Sequence, residues 1–191
     1  MAGTAAADYP LMAVFADVLT ADECARIIEI GGRLPSSTGM VNDPHAQDGV
    51  RPVRDVAVRS LPLDGEFSWV YERLIHHASG LNQQALGFEI DQVESLQLLS
   101  YGPGQHYDWH VDIGTFDLAH RKLSLVAFLS DPAEFEGGEL ELFFSDQPTM
   151  IPRDRGALVV FPSFVLHRVR AIASGRRFSL ALWLRGARRF R

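Results

Sequence analysis

Beyond Gly87 the chain breaks into short apolar runs, each too brief for a packed helix and each closed by turn residues. They are V-E-S-L-Q-L-L-S-Y at 93–101, L-S-L-V-A-F-L at 123–129, E-L-E-L-F-F at 139–144, A-L-V-V-F-P at 157–162 and F-S-L-A-L-W-L at 178–184. G-P-G, D-P, E-G-G and P-R-D-R-G stand between them. Several short strands at such spacing, punctuated by glycine and proline, predict an antiparallel sandwich or jelly roll, because each strand must find its hydrogen-bonding partners on a neighbour. The expected class is mainly β, within an α+β whole.

The first ninety residues read differently. Residues 10–18 suggest an opening strand, and Thr20-Ala21-Asp22-Glu23 has the form of a capping box. In that motif Thr20 bonds the backbone of Glu23, whose carboxylate reaches back. Cys24, Ile27, Ile28 and Ile30 follow at helical spacing until Gly31-Gly32. Residues 34–51 are polar and rich in turn formers, as in a long functional loop. Residues 54–61 alternate as a strand. Residues 67–81 form a second helix with Trp69, Val70, Leu74 and Ile75 on its core side, and His76 and His77 at its end, where the helix dipole favours a cation. At 191 residues the chain fits one domain, 1–191, with 1–90 as support and 91–187 as the core.

The chemistry gathers in Y-G-P-G-Q-H-Y-D-W-H-V-D, residues 101–112. On a strand His110 and Asp112 project to one face with α-carbons about 6.5 Å apart. His167, in F-P-S-F-V-L-H-R-V, can complete a set of two imidazoles and one carboxylate if it arrives from another strand. Such a set leaves one octahedral face open, the arrangement of non-haem Fe(II) oxygenases rather than of closed structural zinc. Cys24 is the only cysteine, so any metal must rely on imidazole and carboxylate. His106 and Asp108 share the alternation of His110 and Asp112, and an unbroken strand places all four together. Eighteen basic against 24 acidic residues give a formal charge of −6, poorly suited to counterion-release binding of nucleic acid. A cluster of arginines at 176, 177, 185, 188, 189 and 191 runs against that balance and, Arg177 aside, reads mainly as a solvated tail, with a phosphate-facing patch as the alternative. No apolar run is long enough to span a bilayer and the N-terminus lacks a secretory pattern, so a cytoplasmic setting is expected.

Residues 94–186 resemble the catalytic domain of the Fe(II)/2-oxoglutarate-dependent dioxygenases, in their prolyl 4-hydroxylase-like branch. The resemblance rests on residues 101–112, R-K-L-S-L-V-A-F-L-S-D, F-E-G-G-E-L, G-A-L-V-V-F-P-S-F-V-L-H-R-V and G-R-R-F-S-L-A-L-W, all in order. It implies a double-stranded β-helix, of jelly-roll or cupin-like form, with Fe(II) held by His110, Asp112 and His167. It further implies 2-oxoglutarate and O2 as cosubstrates, with ascorbate as a candidate reductant. Arg177, ten residues after the distal histidine, is implied to grip the far carboxylate of 2-oxoglutarate, a role that suits a planar fork. Arg176 would point to the opposite strand face. Ser179 and Tyr101 are implied to line the cosubstrate pocket, while Phe128 stands where many relatives carry a tyrosine.

The resemblance implies hydroxylation of a prolyl or similar residue in a protein or peptide, with release of succinate and CO2. A free amino acid or other small metabolite is the alternative substrate, and a non-catalytic jelly-roll binding module the alternative of another class. Nucleic-acid demethylases of this kind tend to carry a second arginine where this chain has Trp183. Candidate substrate contacts are Arg121, Tyr107, Trp109 and Arg54, with Arg51 and the 113–122 loop beside them. Oligomeric state is not legible in the sequence.

Overall fold

The computed structural model describes residues 11–39, 41–42 and 52–189. Pro10, Arg51, Arg191 and most of the 34–51 loop lie outside them. The elements run β1 (Ala13–Phe15), α1 (Ala21–Gly32), β2 (Ser37–Thr38), β3 (Val41–Asn42), β4 (Pro52–Asp55), β5 (Ala57–Leu61), α2 (Ser68–Leu81), β6 (Gln92–Val93), β7 (Leu96–Tyr101) and β8 (His106–His110). They continue through β9 (Arg121–Phe128), β10 (Phe135–Gly137), β11 (Leu140–Phe143), β12 (Pro148–Met150), β13 (Leu158–Pro162), β14 (Leu166–Val169), β15 (Ile172–Gly175) and β16 (Arg177–Arg185).

Two antiparallel sheets carry the molecule. The major sheet has the order β1-β13-β9-β16-β7-β5-β2 with β6 beside β16, and the minor sheet β12-β11-β14-β8-β4-β3. A small pair, β10-β15, sits apart. The inner faces pack together: Val58, Leu99, Phe128, Val159, Phe161 and Ala181 of the major sheet meet Leu140, Leu142 and Val169 of the minor. The outer face of the major sheet, through Leu98, Leu125, Leu180 and Leu182, packs against Ile27 of α1 and Val70 and Leu74 of α2. This mainly β, jelly-roll arrangement explains the sequence runs. Strands β9 and β16 are buried on both faces and therefore read as nearly continuous apolar stretches. Strand β14 has one wet face, so Leu166 and Arg168 alternate with buried His167 and Val169.

The capping box forms as expected: Glu23 N donates to Thr20 Oγ1 at 3.2 Å, and Thr20 N to Glu23 Oε2 at 2.8 Å. Helix α1 then ends at Gly32 as expected, and bare Gly31 lets it approach Leu98 and Leu61 of the major sheet closely. The 54–61 strand is in fact two. Arg54 pairs with Tyr107 in the minor sheet, whereas Val58 pairs with Leu99 in the major, and buried Val56 marks the crossing. Side-chain alternation cannot reveal that a strand changes sheets. The first ninety residues thus supply strands to both sheets. Residues 37–38 and 41–42 of the expected loop also pair as short strands.

Helix α2 starts after a 3-10 turn, Gly65–Phe67, and continues into a π-helical turn, Asn82–Leu86, ended by Gly87 at φ +68°. His76 and His77 are therefore not at its end. His77 packs on Phe15 at 4.9 Å between ring centroids, and burial lowers its pKa, so no cation–dipole role holds for it. Buried Tyr71 was not foreseen: its hydroxyl donates to Leu61 O at 2.7 Å and accepts from Leu96 N at 2.6 Å, tying α2 to two major-sheet strands.

Candidate active site

His110 and His167 are direct cross-strand partners of β8 and β14, with ring centroids 4.0 Å apart. Asp112 follows β8 in a turn held by its N–H donating to Ser163 O at 2.9 Å. Its oxygens lie 3.7 Å from His110 Nε2 and 3.5 Å from His167 Nε2. Each imidazole directs Nδ1 at a carbonyl, His110 to Asp108 O at 2.7 Å and His167 to Val165 O at 2.9 Å. With Nδ1 donating, both rings present a lone pair on Nε2 toward the carboxylate. Burial pushes His110 down to about 3, helped by the neighbouring His167. Burial alone would raise Asp112, but His167, then His110, and the Ser124 hydroxyl outweigh it and hold the carboxyl below its ordinary value. The site thus offers two imidazole nitrogens and one ionised carboxylate oxygen, within 4.8 Å of one another. That donor set suits a divalent ion of borderline character such as Fe(II).

His106 and Asp108 do not share this face, because a β-bulge breaks the alternation that an unbroken strand would keep. His167 pairs with His110 but Val169 pairs with Tyr107, so β8 holds one residue more than β14 over this stretch. The extra residue reverses the alternation. Tyr107 turns inward and stacks on His110 at 3.3 Å between centroids and 8° between planes. His106 and Asp108 face a separate, shallow hollow with Arg168 and Arg170. Trp109 faces outward, against Phe143 and under the Arg168 guanidinium.

The triad opens into a cavity lined also by Arg54, Leu99, Tyr101, Tyr107, Ser124, Arg177, Ser179 and Trp183. Arg177 is 1% exposed. Its Nη1 donates to Ser179 Oγ at 3.0 Å, yet Nε and Nη2 are buried without a partner among the described residues. Tyr101 stands directly across the ladder, and the Tyr101 and Phe128 rings lie 5.4 and 5.5 Å from the guanidinium carbon. A buried cation with two unused donors is costly unless an anion arrives. A carboxylate group matches that need in charge and shape, and Arg177 and the triad line one cavity.

Comparison with known proteins agrees with this geometry. The family model described as the 2OG-Fe(II) oxygenase superfamily matches residues 96–185. Residues 96–185 belong to the 2OG-Fe(II) oxygenase superfamily. A PKHD-type hydroxylase of Synechococcus sp. (strain CC9902) is 34% identical over 125 residues, covering 65% of this chain and 55% of that protein. One from Hyphomonas neptunium is 38% identical over 92 residues, covering 45% and 40%. The chain spans about half the length of these curated relatives. Among solved structures, a Pseudomonas putida prolyl-4-hydroxylase superposes with a TM-score of 0.67 at 23% identity, covering 93% of each chain. A Trichoplax adhaerens prolyl hydroxylase bound to a hypoxia inducible factor peptide fragment gives 0.71 at 16%, covering 91% of this chain and 83% of that one. At such identities these two speak for the fold.

Within this oxygenase domain the other anticipated residues fall in different places. Arg54 and Tyr107 line the cavity, whereas Arg121 and Trp109 do not. Arg121 is engaged internally: Nε and Nη2 reach Glu94 at 2.9 and 2.6 Å, Nη1 donates to Asp112 O at 3.3 Å, and the guanidinium stacks on Trp183 at 3.9 Å. It therefore braces the turn that carries Asp112. Arg176 points away, toward Ser100 Oγ at 3.1 Å. From the arginine cluster Arg185 faces Glu94 and Asp117, and Arg188 faces Glu89. Ser124, which sequence reasoning passed over, donates to Asp112 Oδ2 at 2.6 Å. Its signal was a lone hydroxyl in the run L-S-L-V-A-F. Gly138 of the G-G pair holds φ +66°, and a Cβ there would meet Ile172 Cδ1 at 2.4 Å and Arg177 Cδ at 3.0 Å. The fold thus favours a bare backbone beside its buried arginine.

Proposed function

We propose that the chain is an Fe(II)- and 2-oxoglutarate-dependent hydroxylase that oxidises a prolyl or similar residue in a protein or peptide, releasing succinate and CO2. The observation that carries this reading is the buried, half-unpartnered guanidinium of Arg177 in the same cavity as His110, Asp112 and His167. The hydroxylase names of the relatives and the peptide complex of one structural neighbour support the substrate class.

The roles follow from the positions. His110 and His167 give Nε2 and Asp112 gives a carboxylate oxygen to Fe(II). Arg177 binds the remote carboxylate of 2-oxoglutarate, with Ser179 orienting the fork and Tyr101 closing the pocket. When bound, iron and 2-oxoglutarate supply O2 activation coupled to decarboxylation, and insert an oxygen atom into a C–H bond. The protein orients these groups and keeps bulk water out with Leu99, Phe128 and Trp183. Phe128 cannot hydrogen-bond the cosubstrate, so Arg177 and Ser179 carry that polar load. Ascorbate would serve only to restore oxidised iron.

Anaerobic addition of Fe(II) and 2-oxoglutarate should give a weak visible charge-transfer band, and admission of air should yield succinate. His110→Ala should abolish both. Metal binding without succinate would instead support a non-catalytic binding module.

A further inference from the structure

The cavity holds a second arginine, Arg54, anticipated as a substrate contact but given no partner group by the roles above. Arg54 enters from β4, and its guanidinium carbon sits 4.9 Å from the Tyr107 ring centroid, on the aromatic shelf that stacks against His110. Its Nε is buried and has no hydrogen-bond partner, and among the described residues no carboxylate lies within ion-pair distance of it. Arg177 serves the cosubstrate, which leaves the charge around Arg54 unanswered. Asp112 offsets one of the two guanidinium charges in the cavity, and 2-oxoglutarate brings two negative charges against the two of Fe(II). One positive charge is left.

We infer that Arg54 is a specificity-determining residue that binds a carboxylate of the primary substrate while the neighbouring C–H bond is presented to the metal. This rests on the hydroxylase reading above and refines its substrate class. A guanidinium suits the task because its Nε and one Nη form a fork that matches two carboxylate oxygens. The Tyr107 ring beneath it makes that fork rigid and partly dry, which strengthens a charge-assisted bond. The carboxylate comes either from a free amino acid or from an acidic side chain next to the target residue in a peptide.

Two matched pairs of probes separate these sources: L-proline against L-prolinamide, and a blocked tripeptide with glutamate after proline against the same peptide with glutamine. Binding is measured by calorimetry on anaerobic protein loaded with Fe(II) and 2-oxoglutarate, so no turnover is needed. In one pair the carboxylate member should bind about tenfold more tightly or better, as expected for one charge-assisted bond. Preference in the first pair identifies a free acid, and preference in the second an acidic peptide. Arg54→Gln should reduce the preference to about twofold or less, and Arg54→Lys should restore part of it. Equal binding of acid and amide in both pairs, absence of binding by both acids, or a preference that survives Arg54→Gln overturns the inference. Failure of the hydroxylase reading is seen separately, as wild-type protein that forms no succinate from 2-oxoglutarate in air.

Discussion

Replacing Arg177 by methionine should make the ligand-free protein more stable while removing its response to 2-oxoglutarate. The side chain is 1% exposed, with one hydrogen bond, to Ser179 at 3.0 Å, and two unpartnered nitrogens. Each unsatisfied buried donor costs about 1–3 kcal/mol. The Tyr101 and Phe128 rings return about 0.5–2 kcal/mol apiece. Methionine has similar length, no polar atom to satisfy and the flexibility to fill an irregular space. Two such donors cost about 2–6 kcal/mol and the two rings return about 1–4, so a net gain of about 1.5 kcal/mol follows, or about 3–6 °C in Tm for a domain of this size. Relative to the same protein with Mn(II) alone, wild type with 2-oxoglutarate at a hundred times Kd should gain about 2.7 kcal/mol, and Arg177→Met nothing. Thermal unfolding followed by circular dichroism reads both quantities. A variant less stable than wild type without ligand, or one that still shifts with 2-oxoglutarate, would refute the reasoning about a waiting cation.

Ser124→Ala removes the 2.6 Å bond to Asp112 Oδ2 and should weaken divalent-metal affinity about 10–100-fold, read by anaerobic metal titration, with the melting curve of the metal-free protein little changed. Gly138→Ala places a methyl against Ile172 and Arg177 at φ +66° and should cost about 1–3 kcal/mol in urea unfolding, with a raised Kd for 2-oxoglutarate. Because His110 falls from 6.5 to about 3 on folding, the unfolded chain takes up its proton first as pH falls. Metal-free stability should therefore be full above pH 6.5 and decline as pH drops toward 3, with Asp112 adding to the loss at the acidic end. Urea unfolding at pH 7 and pH 5 should show a smaller difference in His110→Gln than in wild type. An equal difference would remove His110 from the account.

The legible part of this protein is the part written in residue type and short spacing. His110, Asp112 and His167 announce a facial ligand set, Thr20 and Glu23 announce a helix start, and strands such as β9 and β16 announce burial on both faces. The inward turn of Tyr107 was not legible, because the bulge in β8 exists only through pairing with β14. The same holds for Arg54, whose strand leaves the minor sheet one residue later, and for Tyr71, whose hydroxyl bridges segments 25 residues apart. Arg121 matched the position of a substrate-side arginine, yet Glu94 and the Asp112 carbonyl claim its donors.

Sequence alone determined which atoms are available to a metal and to a keto acid, since ligand chemistry resides in side-chain type. Tertiary structure decided which of those atoms meet, because one unpaired residue in β8 sends every side chain beyond it to the opposite face. That single slip brings Tyr107 beneath Arg54, turns His106 and Asp108 away, and makes the cavity around the three ligands what it is.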